Sequence, residues 1–285
     1  MSMIQPPPVF IPSHGRPYTQ LTLNLLNRLH YNGDIYIVLD DLDKDIENYK
    51  SQQYNAKILV FDKMKYTRLT DTMDATSRLQ LKTVVYARNA ILDFAKNLGY
   101  KYFVMADDDI TGLVYRYAES GSLKSKPIQD LNALLSGIAK FLSVSDNLRS
   151  ASFSGQMAYI GGVGANLFNQ GLWPSIYQFI VCKTSDDFAF IGTHNEDYNT
   201  VLRDLIRSKL NYSISALSVQ SPVRGSNSGG NQVVNEYEAD FYSIILRPDS
   251  VYMKLKLNSD GSMHAGTCKS VNNTYQKLIS DKYKK

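Results

Sequence analysis

The sequence predicts an α/β fold with a mostly parallel central sheet and helices on both faces, and three observations predict it. Four short runs, Val9–Pro12, Ile35–Leu39, Lys57–Phe61 and Tyr102–Ala106, are apolar almost throughout. A strand without a polar face must be covered on both sides, which is the usual state of a parallel strand in an α/β sheet. Helical patterns separate the runs, and each run stops at a polar or acidic cluster, as strands do where they emerge at one edge of such a sheet.

The first run ends in Ser13-His14-Gly15-Arg16-Pro17, a strand entering a loop. A helix opens at Thr19 or Gln20 and sets Leu21, Leu25, Leu26 and Leu29 on one face. The second strand stops at Asp40-Asp41, and residues 43–54 follow with a polar helical pattern. Residues 62–82 are polar and mixed, and are expected to form a loop over the sheet. The next helix runs from about Val84 to Leu98 and is closed by Gly99. The fourth strand leads directly into Asp107-Asp108-Asp109. Residues 118–127, rich in Gly, Ser and Lys, are expected to be a mobile loop, and 128–143 an amphipathic helix.

The second half changes character. Ala151–Ile160 and Ile176–Lys183 are strand-like and flank Gly161-Gly162-Val163-Gly164; Glu196–Lys209 is helical. Residues 220–232, rich in Gly and Ser, form a long loop of the kind that often acts as a lid. No internal repeat interrupts the chain, and 1–285 is expected to be one domain.

With 44% hydrophobic and 20% charged residues in 285, the chain has apolar surface enough for a core without staples. The two cysteines, Cys182 and Cys268, make neither a zinc spacing nor a disulfide framework, and are expected to be free thiols. The N-terminus has no signal-peptide pattern, and no run approaches the roughly 20 apolar residues of a membrane span. A cytoplasmic location follows as an expectation, in the host cell if a phage encodes the protein. Of the net charge of +4, the tail from Ser250 contributes seven lysines against Asp260 and Asp281. Such a tail suits a phosphate-bearing partner or simple solvation.

The acidic triplet carries the strongest chemical signal. Ligands in open α/β sheets bind beyond the carboxyl ends of strands. Three adjacent carboxylates there repel one another unless a cation is present, and Mg²⁺ or Mn²⁺ prefers carboxylate and diphosphate oxygens. Strand alternation sends Asp107 and Asp109 one way, as a D-x-D pair, and Asp108 the other way, towards a sugar or Arg88. A solvated acidic loop or a helix cap is the plain alternative.

The order of motifs narrows this. Asp40 ends a strand, Ala87-Arg88-Asn89 sits on the helix before the triplet, and His194-Asn195-Glu196-Asp197 opens a later helix. This order resembles the GT-A (Rossmann-like) glycosyltransferases. The resemblance implies a nucleotide-sugar-binding half over 1–115 and an acceptor-side half over 116–285 that ends in the basic tail. It assigns Arg88 and Asn89 to the nucleotide-sugar, and Asp107, Asp109 and His264 to a Mn²⁺ or Mg²⁺ ion. Asp197 is the expected catalytic base, with Glu196 as neighbour or substitute, and Gly161–Gly164 gives backbone access to the sugar. Ser13, Gly15 and Arg16 would hold the nucleotide, Asp40 the uracil or ribose, and Asp108 the sugar. Arg224 would meet either the diphosphate or the acceptor.

The Ile-Pro-Ser-His-Gly-Arg opening, the Ala-Arg-Asn helix, the Asp-Asp-Asp-Ile turn and Asn-Glu-Asp-Tyr together resemble the TET-associated glycosyltransferases of phages. That resemblance implies transfer from a nucleoside diphosphate sugar, expected to be a uridine diphosphate sugar, to hydroxymethylated pyrimidines such as 5-hydroxymethylcytosine in double-stranded DNA, with inversion. Three rival readings remain: a GT-A enzyme acting on a saccharide, lipid or protein, a nucleotidyltransferase, and a DNA-binding accessory protein with structural acids.

Overall fold

The computed structural model describes residues 5–72, 82–222, 242–249, 251–257 and 263–269, the last two segments mostly at the level of backbone. The elements in order are β1 (Val9–Pro12), α1 (Leu21–Arg28), β2 (Ile35–Asp40), α2 (Ile46–Ser51), β3 (Lys57–Phe61), α3 (Lys63–Leu69), α4 (Val85–Asn97) and β4 (Tyr102–Ala106). Then come β5 (Gly112–Glu119), β6 (Ser122–Pro127), α5 (Leu131–Leu142), β7 (Leu148–Ser154), α6 (Asn166–Gln170), β8 (Leu172–Pro174) and β9 (Phe179–Lys183). The last are α7 (Glu196–Ile206), β10 (Leu210–Gln220), β11 (Val251–Leu257) and β12 (Met263–Lys269).

The main sheet runs β3-β2-β1-β4-β9-β7-β10-β5-β6, with β8 beside β10. Its first four strands are parallel, and Val9 of β1 lies between Ile35 and Val104. Every residue of β1 and β2 is buried. Helix α4 packs across β1, β2 and β4, and α5 across β7 and β9. Phe10 stacks on Tyr36 with ring centroids 4.7 Å apart and meets Phe103 edge-on at 5.9 Å. The α/β class with helices around a parallel core therefore holds.

Beyond β4 the sheet becomes mixed. β9 runs antiparallel to both β4 and β7, β10 returns parallel to β7, and β5 and β6 close the edge as an antiparallel hairpin. The polar alternation of β7 does not face water. Ser150 donates to Asn211 at 2.6 Å, Ser152 pairs with Ser213 at 2.6 Å, and Ser154 donates to the Ile214 carbonyl at 3.0 Å. All of these side chains are buried, and each hydroxyl is satisfied by the neighbouring strand, as burial requires.

Three expectations are corrected. Residues 118–127 are not a mobile loop but the β5–β6 hairpin, turning at Ser120 and Gly121, both with positive φ. Such a two-residue turn matches the twist of the strands it joins, and lysines on β6 suit an exposed edge. Residues 62–82 are not all loop: Asp62 accepts from the Lys65 amide at 2.7 Å and caps α3, whose sparse burial (Lys63 and Tyr66) hid its period. The strand expected to reach Ile160 stops at Ser154, because Gly155 lies against the Tyr177 ring and the chain turns into a 3-10 segment.

A single buried core spans both halves, from Val9 to Val251. No described helix is long and apolar enough to cross a membrane. Of the two cysteines, Cys182 is buried and free; the side chain of Cys268 lies outside the described residues.

Candidate active site

The acidic triplet sits where β4 leaves the sheet. Asp107 still donates its amide to the Gln178 carbonyl, at 3.0 Å, so the first acid is held in line with the strand. The next residues turn around Thr22, near the start of α1. The Thr22 amide donates to the Asp108 carbonyl at 3.2 Å, its hydroxyl donates to the Asp107 carbonyl, and its oxygen accepts from the Ile110 amide at 2.9 Å. One buried threonine thus fixes the backbone from 107 to 110.

Asp107 and Asp108 then take different partners. Asp108 is 8% exposed and faces the loop after β1. It accepts from the Ser13 hydroxyl at 2.7 Å and from Arg16 Nη1 at 2.7 Å. The Ser13 oxygen in turn accepts from Gln20 Nε2 at 2.9 Å and lies 2.9 Å from the Tyr49 hydroxyl, which accepts the Arg16 amide at 2.8 Å. Burial pushes the Asp108 carboxyl up, against the pull of Arg16 and Ser13.

Asp107 faces Arg88 instead. Arg88 Nη2 lies 3.3 Å from Asp107, and Nη1 lies 3.2 Å from Glu196. The guanidinium is buried and lies over the Phe190 ring at 5.3 Å. Burial pushes Asp107 up to about 6, with Arg88 opposing and Asp109 and Asp108 reinforcing. Burial likewise pushes Glu196 up to about 7, opposed by Arg88 and reinforced by Asp197. One buried cation therefore serves a group of carboxylates that exceeds it in charge.

The remaining site residues separate into two sets. Asp197 is half-buried at the first turn of α7, where its Oδ1 accepts the Tyr198 amide at 2.7 Å. Asn195, in the left-handed region at φ 50°, turns the chain so that Glu196 and Asp197 open the helix. Asp109 is half-buried and near enough for its charge to act on both other acids of the triplet.

Asp40, Gly15 and Asn89, in contrast, are occupied within the protein. Asp40 is 5% exposed and holds His14 Nδ1 at 2.9 Å, Lys63 Nζ at 3.2 Å and the Leu42 amide at 3.2 Å. The hydrogen bond to Asp40 raises the His14 pKa above its usual value. Gly15, at φ +65°, gives its amide to Asp43 at 2.8 Å. Asn89 bonds both the amide and the carbonyl of Phe190, at 2.7 and 3.0 Å, and Thr70 at 3.0 Å.

His264 lies in β12 opposite Lys256, and its side chain is outside the described residues, as are Arg224 and the lysine side chains of the tail. Thr22, Tyr49, Asp43 and Gln178 were not legible as site residues. Their roles depend on contacts across 28 to 88 positions of sequence, and no local pattern marks them.

A model of the family described as TET-Associated Glycosyltransferase matches residues 7–225, well over half of the chain. The chain belongs to the TET-associated glycosyltransferase family. The matched region holds the β1 loop, Arg88, the acidic triplet and the start of α7, and ends before His264. No curated protein matches this chain. This TET-associated glycosyltransferase is accordingly a transferase whose family implies a nucleotide-sugar donor.

The described residues of this glycosyltransferase hold no group of three His, Cys, Asp or Glu side chains able to cage a metal. A hard divalent ion does not need one: Mg²⁺ is commonly held by one or two carboxylates together with substrate phosphates. Asp107 and Asp109 would suit that mode, in which an ion is shared with a diphosphate.

Two variants test the scaffold of the site. Thr22→Val keeps the shape of the side chain but leaves the Ile110 amide unsatisfied, and is expected to cost about 1–3 kcal/mol in urea unfolding. Arg88→Met strands the buried Glu196 and the partly buried Asp107, and is expected to cost about 3–5 kcal/mol at neutral pH in the same measurement. Equal stability of Arg88→Met and wild type would show that the carboxylates do not depend on the guanidinium.

Proposed function

We propose that this enzyme transfers the sugar of a uridine diphosphate sugar to the hydroxyl of a hydroxymethylated pyrimidine, such as 5-hydroxymethylcytosine, in double-stranded DNA, with inversion. The observation that carries the reading is the carboxylate excess around Arg88 at the end of β4. A buried site with surplus negative charge stabilises a bound cation, and a diphosphate ester is the substrate that brings its own need for one.

In this reading Asp107 and Asp109, with His264 as a third ligand, hold Mn²⁺ or Mg²⁺. When bound, the ion neutralises charge on the leaving diphosphate. Arg88 orients Asp107 and Glu196. Glu196 is buried and paired with Arg88, which suits it to positioning rather than to contact with an acceptor. Asp197, less buried and fixed by the Tyr198 amide, is the base that takes the proton from the acceptor hydroxyl. Ser13, Arg16 and Asp108 form a braced wall beside the donor, and Asp40 stiffens it through His14. DNA as acceptor is supported by the family and by the basic balance of the chain, +4 overall. It also supports a cytoplasmic location, where such an acceptor is found.

The test offers a panel of nucleoside diphosphate sugars with Mn²⁺, with and without duplex containing 5-hydroxymethylcytosine, and follows nucleoside diphosphate release. DNA-stimulated release of uridine diphosphate is expected. Asp197→Asn should lower kcat by about 10²–10⁴ while leaving donor KM near wild type. Asp109→Asn should lower kcat/KM and shift the Mn²⁺ dependence to higher concentration. Release stimulated by a saccharide, lipid or protein but not by DNA would overturn the acceptor, and release of pyrophosphate would make the protein a nucleotidyltransferase.

A further inference from the structure

The loop after β1 carries a histidine whose ring is held at one edge and open at the other. His14 Nδ1 lies 2.9 Å from Asp40 and 3.5 Å from Asp43. A carboxylate only accepts, so Nδ1 carries its hydrogen and the ring orientation is fixed. The two carboxylate side chains are 7% and 1% exposed, whereas the His14 side chain is 57% exposed. Nε2, on the far side of the ring from Nδ1, lies at the open edge.

The charged groups around this ring come from several elements. Asp40 ends β2, Asp43 lies in the turn after it, and Lys63 opens α3 and reaches Asp40 at 3.2 Å. Arg16, on the same loop as His14, turns instead to Asp108. Two buried carboxylates against one lysine leave a single negative charge, and a protonated His14 balances it. The hydrogen bond to Asp40 accordingly raises the His14 pKa, helped by the charges of Asp40 and Asp43 and opposed by burial and Lys63.

The strand order puts the ring at the ligand-binding edge. β2 and β3 lie on one side of β1 and β4 lies on the other, so the sheet changes sides at β1. In open α/β sheets ligands settle beyond the strand ends at such a point. The parallel pairing of Val9 with Val104 and Phe10 with Met105, continued by two residues, sets Pro12 beside Asp107. The loop bearing His14 thus leaves the strand next to the one that ends in the acids, about 4.8 Å across. Contacts tie the two exits together: Ser13 and Arg16, which flank His14 and Gly15, both bond Asp108 at 2.7 Å.

We propose that His14 is a phosphate-binding residue of the donor site, its Nε2–H donating to a non-bridging oxygen of the nucleoside diphosphate while Asp40 and Asp43 hold the ring. This deepens the reading above and rests on the donor being a nucleoside diphosphate sugar. The acids after β4 can meet a diphosphate only through a cation, because both carry negative charge. A protonated imidazole meets it directly, by a charge-assisted hydrogen bond. Asp40 is already occupied by His14 and Lys63, so in this reading it acts on the nucleotide through His14 rather than by contact.

The experiment follows the His14 ring by NMR in the full chain, with Mg²⁺ present and uridine diphosphate or uridine as the probe. Sequential assignment tells His14 from the other histidines. Uridine diphosphate is expected to shift the ring signals and to raise the His14 pKa further, because a phosphate binds the protonated form; uridine is expected to do neither. In calorimetry His14→Gln should bind uridine diphosphate about tenfold more weakly than wild type near neutral pH. Wild-type affinity should be full below the His14 pKa, which lies above the usual value of about 6.5, and fall as pH rises through it. His14→Gln should lack that fall.

A histidine that only braces the loop gives a different result: its loss weakens uridine and uridine diphosphate alike, and its pKa does not respond to the phosphates. Wild type that binds uridine diphosphate with the His14 signals and pKa unmoved would overturn the contact and leave the nucleotide-sugar reading standing. So would His14→Gln binding uridine diphosphate as tightly as wild type. The NMR readings come from the wild type and decide the matter even if the variant is unstable. Wild type that binds no nucleoside diphosphate, with or without Mg²⁺, would overturn the donor reading and the contact together.

Discussion

Arg88 is placed where a guanidinium is costly unless it is paired. It lies beneath the site on α4, between Asp107 from the end of β4 and Glu196 from the start of α7. The pairing makes the relative position of these three elements one electrostatic arrangement. A buried ion pair contributes little net stability when whole and is costly to break. Its value here is in position. It brings the helix start bearing Asp197 to the strand end bearing Asp107 and Asp109. It also leaves the group with more carboxylates than cations, which is why burial raises both Asp107 and Glu196.

The acidic triplet is a division of labour rather than a cluster. Alternation along the chain turns Asp108 away from its neighbours, and Ser13, Arg16, Gln20 and Tyr49 complete the network it enters. Asp40 and Asp43 brace the same loop from the other side through His14 and Gly15. Two acids that resemble ligand-binding groups in sequence, Asp40 and Asp108, thus hold the loop after β1. In the proposed reading Asp107 and Asp109 serve the diphosphate. Thr22 makes this possible, because it fixes the turn that points successive acids in different directions.

The second half shows how polarity misleads when read along one strand. β7 alternates serine with apolar residues, which suggests a face in water, but β10 places Asn211 and Ser213 opposite those serines and buries both rows. The hairpin β5–β6 misleads in the opposite sense: Gly, Ser and Lys suggest a mobile loop, but they suit a tight turn and an exposed sheet edge. Both features lie beyond β4, where the sheet is mixed and the pattern of continuous apolar strands no longer applies.

What the sequence determined by itself was everything that depends on runs and short intervals. The apolar strands up to β4 declare a parallel sheet covered on both faces, the acids after β4 mark its functional edge, and the order of Arg88, the triplet and Glu196-Asp197 points to the family. Only the tertiary structure decided which acid serves which partner. Asp108 meets Arg16 rather than Arg88, and Asn89 is engaged with Phe190. Those outcomes are set by which strand ends share an edge and which side chains converge there. They depend on contacts between residues tens of positions apart, and neither propensity nor periodicity carries that information.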